Sequence, residues 1–569
     1  MSKTGKKREP ASAGESRKAG RAGRPSSKLS KSAKSAQPQK KPARRGGLQL
    51  LLFCVAAVAV SSCVYLVSAN ISDFDAFYHL GHARVYAERG LFTKAFPWVV
   101  YSIVSRCSSD IWYGFHLLLV PFSLIQNPLL HIKAGGIFLL VLLLLLFYFA
   151  MRRSQLAYPY LWPFMLLFSA DGMMWRLATA RPHIVSMGLT ALLFAFLVCG
   201  GFWGVFLVSL ALAFVHLSFF WLALLLALAV PAVRLFTEKT LEWRKPVAVL
   251  LGLAAGWLLR PNPIGAAKLL YVQTFQLLLE KQKGQIYFGP ELAPLPARAL
   301  AIITPFILLW LGLAAVALVA LFLRRADLPP RSRTLLWSSL LLSILFFGMT
   351  MLVSKRTVDQ WVPFAVFCFA ACFSYFLDPR SVAGKPFLGG PARIGASLLG
   401  MIVFAVMVWL STNSYVTHIR DPRAIYPYRF RAAAEWLRDH SRPGEIVFHV
   451  NVDVFPELFF WDKRNRYIGG MDPIFQYAYD PSRYWKARNL IVGDDPSHTW
   501  GTPQAGGAKP EDTYQVLRRD FSASYLFVEK NFTPWLYEYA YRDPRYSLCF
   551  DDFQAAVFWL VEPTRTAKP

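Results

Sequence analysis

Residues 72–82 read SDFDAFYHLGH, and the interpretation of the whole chain starts from this stretch. It directly follows the first long apolar run, about Leu48–Ser68, and it contains two carboxylates and two imidazoles. If a helix begins at its first serine, Asp75, His79 and His82 are spaced i, i+4 and i+7 and share one face. Such a face can hold a divalent cation or move a proton. The Ser-x-x-Asp spacing equally fits a capping box, in which the carboxylate only binds amides of the first turn.

The composition indicates the class of protein. The chain has 569 residues, of which 55% are hydrophobic, and its mean hydropathy is +0.35. Long apolar runs recur from Leu48 to Leu410, which is far more than the core of a soluble protein requires. The sequence therefore predicts a polytopic α-helical membrane protein.

The net charge of +28 is concentrated at the N-terminus. Residues 1–46 carry 15 Lys and Arg against two Glu and are rich in Ser, Ala, Gly and Pro. This composition predicts a disordered basic tail, which the positive-inside rule places in the cytoplasm, next to membrane lipid. The first apolar run is not followed by a small-residue cleavage site, so it is predicted to be a retained anchor. A nucleic-acid partner is not expected.

Hydropathy and loop charge predict about 11 spans, with a range of 11 to 13. Residues 47–412 would form the transmembrane domain, with a first outer loop at 70–112 and a cytoplasmic loop at Arg234–Lys245. The stretch Trp112–Leu130 is apolar but contains two prolines and is expected to be only half inserted. The predicted spans are 48–68, 133–150, 156–170, 184–199, 201–215, 217–233, 247–259, 300–323, 334–353, 360–377 and 394–411.

Several candidate cationic groups fall on the same predicted outer face as Asp73 and Asp75. They are Arg181, His216, Lys355 and Arg356. Outer loops normally carry few Lys and Arg, so these groups indicate an anion, and phosphate is the obvious one at a membrane surface. Contact with lipid head groups is the alternative for Arg356, and Arg181, which precedes a proline, equally fits a helix boundary.

Residues 413–569 are predicted to form a small α/β domain outside the cytoplasm. Arg429–His440 has the pattern of a helix. Three segments rich in Val, Ile and aromatic residues are predicted to be strands, namely Glu445–Val450, Tyr525–Val528 and Ala556–Leu560. Cys549 of this domain and Cys107 of the first outer loop would share an oxidising compartment, and the sequence leaves open whether they pair.

Two aromatic-rich stretches of this domain carry acids, Asp453 in VDVFPELFFW and Asp472 in YIGGMDPIF. Aromatic rings beside carboxylates are typical of a surface on which sugar rings or a lipid-linked acceptor stack. A packed interface between the domain and the membrane is the alternative.

Together these features resemble the GT-C superfamily, the integral membrane glycosyltransferases that use lipid-phosphate-linked sugars. Asp75-Ala-Phe-Tyr-His79 is similar to the acidic motif in the first loop of oligosaccharyltransferase catalytic subunits. AAAEWL at 432–437, followed by a strand and then DVFPEL at 453–458, is similar to the opening of the outer domain in bacterial relatives. The likeness covers about residues 48–560.

The resemblance implies transfer of a sugar, with inversion, from a polyprenyl phosphate or diphosphate donor to an acceptor outside the cytoplasm. It implies that Asp75, and secondarily Asp73, activates the acceptor, and that Lys355 and Arg356 hold the leaving phosphate. His79 would bind phosphate or, with Asp75, a divalent cation such as Mg²⁺ or Mn²⁺, which some branches of the superfamily use. The other candidate substrate contacts are His82, Arg181, His216, Asp453 and Asp472.

The Trp-Trp-Asp-Tyr-Gly signature of the oligosaccharyltransferases is absent, so transfer to asparagine sequons is not predicted. Glu291 is a candidate for a second outer acid. The expected location is a bacterial inner membrane, and the acceptor, whether glycan, lipid or protein, is left open. A transporter or flippase of lipid-linked sugars and a non-catalytic envelope assembly protein remain alternatives. A transporter requires charges or broken helices at mid-bilayer, whereas the charges here cluster at predicted span ends.

Overall fold

The computed structural model describes residues 43–169, 172–283, 286, 289–324, 328–378, 390–421, 424–492, 495–504 and 509–562. The predicted basic tail therefore lies outside the described residues, except that residues 43–46 already belong to the first helix. The predicted domain boundaries at 46 and 412 stay predictions.

Helices make up most of the described chain. In chain order they are α1 (Ala43–Leu66), α2 (Asp75–Arg89), α3 (Ile103–Cys107), α4 (Tyr113–Leu119), α5 (Pro128–Arg153), α6 (Trp162–Leu167), α7 (Met173–Leu177), α8 (Pro182–Cys199), α9 (Phe202–Val215), α10 (Phe220–Glu238), α11 (Arg244–Leu258), α12 (Pro263–Tyr271), α13 (Leu277–Lys283), α14 (Ala297–Arg324), α15 (Pro330–Leu352), α16 (Val358–Cys372), α17 (Gly390–Arg420), α18 (Arg431–His440), α19 (Phe455–Trp461), α20 (Pro473–Tyr477), α21 (Pro481–Val492), α22 (Thr513–Arg519) and α23 (Pro534–Arg542).

Seven helical segments in the described residues are long and apolar enough to cross a membrane. A helix of this length pairs all its backbone groups internally, which is what a lipid environment demands. The chain is thus an integral membrane protein of helical type. The seven segments are Gly47–Leu66, Pro128–Arg153, Pro182–Cys199, Leu217–Glu238, Pro330–Leu352, Lys355–Leu377 and Gly390–Arg420.

The predicted count of about 11 spans is not confirmed. One further span would be formed by α11 together with Pro263–Lys283, but this pair is bent by 111°. Two more apolar helical segments are shorter, at Tyr113–Leu124 and Phe202–Val215, and the apolar stretch Ile303–Val319 lies within the 28-residue α14. The predicted span at 156–170 is wrong as a continuous helix, because only the six-residue α6 forms there. Two prolines in its first eight residues, at positions 159 and 163, remove amide donors and restrict the preceding residue.

The C-terminal region contains a five-stranded sheet in the order β2-β1-β5-β7-β6. Strand β1 is parallel to β2 and β5, whereas β7 is antiparallel to both β5 and β6. The predicted helix at 429–440 and the three predicted strands are confirmed as α18, β1, β5 and β7. The strands are β1 (Ile446–His449), β2 (Arg466–Tyr467), β3 (His498–Thr499), β4 (Glu511–Asp512), β5 (Ala523–Glu529), β6 (Tyr546–Asp551) and β7 (Ala555–Leu560).

The first loop is built into this sheet rather than merely lying near it. The Tyr467 amide of β2 donates to the Trp98 carbonyl at 2.7 Å, and the Val100 amide donates back to the Tyr467 carbonyl at 2.9 Å. Phe96 and Trp98 are buried in the same apolar core as Phe459 of α19. The loop and the C-terminal region therefore share one core, and α2 is fixed between them.

Candidate active site

Asp75 is the first residue of α2 and does not cap it. The N-cap position is occupied by Phe74, whose side chain makes no capping hydrogen bond. The Asp75 carboxylate instead lies 3.1 Å from Nη2 of Arg181, and a quarter of its side chain is exposed. The capping box that the sequence allowed is therefore not formed, and the carboxylate is available for chemistry.

Arg181 connects the two first-loop acids. Its guanidinium donates from Nε and Nη2 to the two oxygens of Asp73, with the second of these bonds at 2.6 Å. Asp73 is almost fully buried, so this two-point ion pair fixes the arginine in one orientation. Arg181 has extended backbone directly before Pro182, the first residue of α8, as expected for a residue that precedes proline.

Glu291 continues the charge network on the other side of Arg181. Its Oε2 lies 4.0 Å from Arg181 Nη1, and its Oε1 accepts a hydrogen bond from Nη2 of Arg356. Arg356 lies in a short 3₁₀ turn, Lys355–Thr357, that leads into α16, and 42% of its side chain is exposed. Acids and arginines therefore alternate: Asp73 and Asp75 contact Arg181, Arg181 approaches Glu291, and Glu291 binds Arg356. We refer to Asp73, Asp75, Arg181, Glu291 and Arg356 as the charge relay.

A further ion pair, between Arg176 and Asp359, lies near the starts of α8 and α16. Arg176 of α7 donates from Nε to Oδ1 of Asp359 at 2.6 Å, and Asp359 is buried near the start of α16. The pair joins the segment before α8 to the helix that follows Arg356. It therefore holds the two arginines of the charge relay on a common framework.

The surroundings shift the pKa values of Asp75 and Glu291 in opposite directions. Burial raises the pKa of Asp75 to about 7; Arg181 opposes this shift, and the negative charges of Asp73, Asp453 and Glu291 add to it. Burial would also raise the pKa of Glu291, but Arg356 and Arg181 together hold it below its ordinary value. Glu291 is thus ionised at neutral pH, whereas Asp75 exchanges its proton near neutrality, as a general base does.

The two imidazoles of the motif point to a different set of groups. His79 Nδ1 lies 2.8 Å from His116 Nε2, and His116 Nδ1 lies 2.6 Å from Oδ2 of Asp110. His82 Nε2 lies 4.0 Å from the same carboxylate oxygen. The single face predicted from the spacing therefore divides, with Asp75 at the charge relay and both histidines at Asp110.

Both histidines of α2 are held neutral. Burial and the neighbouring His116 lower the pKa of His79 well below its ordinary value. The same two causes lower the pKa of His82 to about 3, although Asp110 opposes the shift. Asp110 and His116 were not predicted as site residues. The available signal was the position of His116, a polar residue within an otherwise apolar stretch that starts two residues after Asp110.

Three of these side chains form a candidate cation site. His82, Asp110 and His116 each offer one ligand atom, and these atoms lie within 4.8 Å of one another. The predicted cation at Asp75 and His79 stays a prediction. In the structure Asp75 faces the guanidinium of Arg181, and His79 Nδ1 faces His116.

The remaining predicted site residues, Asp453, Asp472, His216 and Lys355, have different surroundings. Asp453 is exposed and close enough to raise the pKa of Asp75. Asp472 caps α20 by accepting from the Ile474 amide at 3.1 Å. His216 is buried, with Nδ1 at 2.9 Å from the Ser186 hydroxyl. Lys355 is a neighbour of Arg356 in the same turn.

Cys107 and Cys549, whose pairing the sequence left open, form no disulfide bond. Cys107 is buried at the end of α3, and Cys549 is partly buried in β6.

Comparison with known proteins identifies the fold. No protein-family model matches the chain, and no curated protein matches it in sequence. The structure of ArnT from Cupriavidus metallidurans bound to undecaprenyl phosphate is similar, with a TM-score of 0.52 and 12% identity over 90% of this chain and 98% of that one. The apo ArnT structure gives 0.50 and 13%, over 92% and 100%. The chain therefore has the same fold as ArnT, with membrane helices and a small C-terminal sheet, which confirms the predicted fold class.

Proposed function

We propose that this chain is a membrane glycosyltransferase that moves a sugar from a polyprenyl-phosphate-linked donor to an acceptor outside the cytoplasm. The observation that carries the proposal is the charge relay, in which Asp75, a carboxylate whose pKa is raised by burial, contacts Arg181, and Glu291 links this arginine to Arg356. The ArnT fold supports it, because one ArnT structure holds undecaprenyl phosphate.

In this proposal Asp75 is the general base. Its carboxylate takes the proton from the acceptor hydroxyl as the oxygen attacks the anomeric carbon of the sugar. The bond between that carbon and the phosphate oxygen breaks on the opposite side, so the configuration inverts. The electron pair of the broken bond stays on the departing polyprenyl phosphate.

Arg356 and Arg181 stabilise the charge that develops on the leaving phosphate. Arg356 is the more accessible of the two, since 42% of its side chain is exposed, against 22% for Arg181. Lys355, the adjacent residue in the turn, would add a second positive charge. Glu291 positions both guanidinium groups by bonding Arg356 and approaching Arg181.

Asp73 acts through Arg181 and is a positioning residue. Its buried two-point ion pair occupies Nε and Nη2 of the guanidinium and leaves Nη1 directed to Glu291. We infer that Asp73 keeps Arg181 from closing completely on Asp75, which would lower the pKa of the base too far for proton transfer.

A defined reaction tests the proposal. The purified protein is incubated with a radiolabelled polyprenyl-phosphate sugar, and release of free polyprenyl phosphate is measured together with loss of sugar from the lipid. Asp75→Asn preserves size and should reduce release by a factor of about 10² or more. Asp480→Asn is the matched control, because Asp480 accepts from the Ser482 amide near the start of α21 and asparagine caps equally well.

If the wild-type protein moves the intact lipid-linked sugar across vesicles without cleaving it, the protein is a transporter. If Asp75→Asn cleaves the donor as fast as the wild type, Asp75 is not the base.

A further inference from the structure

Three side chains from two helices and the loop between them meet behind α2. His82 comes from α2, Asp110 from the segment before α4, and His116 from α4. Their facing atoms are His82 Nε2, Asp110 Oδ2 and His116 Nδ1, with 4.0 Å between the first two and 2.6 Å between the last two. None of the three is more than a tenth exposed.

The other polar atom of each side chain is already bound. His82 Nδ1 lies 3.1 Å from the Tyr78 hydroxyl, and His116 Nε2 lies 2.8 Å from His79 Nδ1. Asp110 Oδ1 accepts from the Trp112 amide at 2.8 Å. Outer hydrogen bonds of this kind fix the tautomer and the orientation of metal-binding imidazoles and carboxylates. They leave the three facing atoms within 4.8 Å of one another.

The surroundings are those of a closed site. The imidazole rings of His82 and His116 stack at 4.3 Å between centroids, and the Tyr86 hydroxyl donates to Asp110 Oδ2 at 2.9 Å. A carboxylate buried this deeply requires compensation of its charge. A cation shared with two imidazoles supplies that compensation.

We propose that His82, Asp110 and His116 bind a Zn²⁺ ion. Two imidazoles and one carboxylate favour zinc over Mg²⁺ or Ca²⁺, which prefer oxygen ligands alone. In a tetrahedral zinc site neighbouring ligand atoms stand about 3.4 Å apart, so the contact between Asp110 and His116 opens slightly and the contact between Asp110 and His82 closes. Binding through Nδ1 requires that this atom of His116 carry no proton and that Nε2, which faces His79 Nδ1, carry the ring proton; a water would take the fourth position.

The ion would have a defined mechanical role. It would join α4 and the loop that carries Asp110 to the middle of α2, the helix that begins with Asp75. This role does not depend on the proposed reaction, because the three ligands lie outside the charge relay.

Zinc content is the first measurement. Full-length protein, purified without a polyhistidine tag and dialysed, should contain about one zinc per chain by elemental analysis. His116→Ala and Asp110→Asn should lose it, and the second variant keeps the size and acceptor oxygen of the aspartate. His449→Ala is the control for loss of a buried imidazole, since His449 lies in β1, and it should retain the metal.

Thermal unfolding is the second measurement. Zinc added to chelator-treated wild type should raise the unfolding temperature, and it should leave that of Asp110→Asn unchanged. Equal zinc content and equal shifts in wild type and Asp110→Asn would overturn the site. Absence of both metal and shift in the wild type would show that the three side chains form a hydrogen-bonded network only.

Discussion

Asp73 and Asp75 are two residues apart, contact the same guanidinium and differ in almost every other respect. Asp73 is buried and binds Arg181 at two points, whereas Asp75 is a quarter exposed and lies 3.1 Å from Nη2 of Arg181. A buried acid whose charge is only partly compensated, such as Asp75, takes up a proton more readily. The neighbouring acids thus suit different tasks.

The pH dependence of transfer should report on Asp75. Its pKa is raised to about 7, so the base is protonated in acid and kcat/KM should rise between pH 6 and 8 before levelling. Asp73→Asn removes a negative neighbour and frees Arg181 to bind Asp75, and both changes lower the pKa. The rising limb should therefore move to lower pH in this variant. An unchanged limb would show that another group controls it.

Arg356 should be required for departure of the phosphate. Arg356→Ala should lower turnover by a factor of about 10², by analogy with the loss of one oxyanion donor. Lysine should restore only part of the rate, because it keeps the charge and lacks the two-pronged donor geometry. Arg431→Ala is the control, since Arg431 is similarly exposed and forms an ion pair with Glu435. Wild-type turnover in Arg356→Ala would make Arg356 a contact to lipid head groups.

For single residues, the sequence predicted which acids and cations belong to the site but not which of them contact each other. Asp73, Asp75, Arg181 and Arg356 were expected on one face because span ends with unusual charges are visible in hydropathy and loop composition. The contact between His79 and His116 was not expected from the sequence. These residues are 37 positions apart, and no local pattern specifies the path of the chain between them. A helical period shows which side chains share a face and not what that face meets.

Among the elements, α9 and α11 show how closely the helices pack. Gly252 and Gly256 form a Gly-x-x-x-Gly pair on α11, and a Cβ at either would overlap a backbone carbonyl oxygen of α9, that of Phe206 or Leu210. Small residues at this spacing let helix backbones approach within a membrane. The apolar composition predicted the two helices, and the glycines determine their separation.

Gly252→Leu should destabilise the protein without touching the charge relay. The added side chain has no space against α9, so we expect a cost of about 1–3 kcal/mol and a lower unfolding temperature in detergent. Gly348→Leu in α15 is the matched control, because no heavy atom lies within 4 Å of a Cβ built there. If the two variants unfold at the same temperature, the contact between α9 and α11 does not limit stability.

The elements that were predicted poorly share a physical cause. Long apolar runs such as Pro128–Arg153 are recognised by length alone. The stretch 156–170 is also apolar, but Pro159 and Pro163 prevent a helix from beginning at its start, and only the short α6 forms. The 111° bend after α11 occurs at Arg260-Pro-Asn-Pro, whose two prolines disfavour continuation of the helix.

At the scale of the whole molecule, α8 has basic side chains at both of its ends. Arg181 precedes the first residue of α8, whereas Arg234 and Lys245 donate to the carbonyl oxygens of Val198 and Leu197 at its last turn, each at 2.8 Å. The loop that was predicted to be cytoplasmic and the charge relay are therefore a full helix apart. The direction in which the helix crosses the membrane stays a prediction.

Reporter fusions measure that direction. A reporter inserted in Arg234–Lys245 should be cytoplasmic, and one placed after Glu562 should be outside the cytoplasm. Fusion after Ser414 is less suitable, because Ser414 lies inside α17 and truncation there would remove the sheet. Two reporters on the same side would contradict both the topology and the proposed location of the reaction.

The strand-like contact between Trp98–Val100 and Tyr467 has a consequence for how such proteins diverge. A chimaera that grafts a foreign C-terminal region after Arg420 would keep Phe96 and Trp98 but lose the Phe459 ring and the β2 edge that they require. Exchange of the C-terminal region by recombination must therefore move two distant parts of the gene together. The stretch that begins at Ser72 and the stretch that ends at Tyr467 are expected to be inherited as a pair.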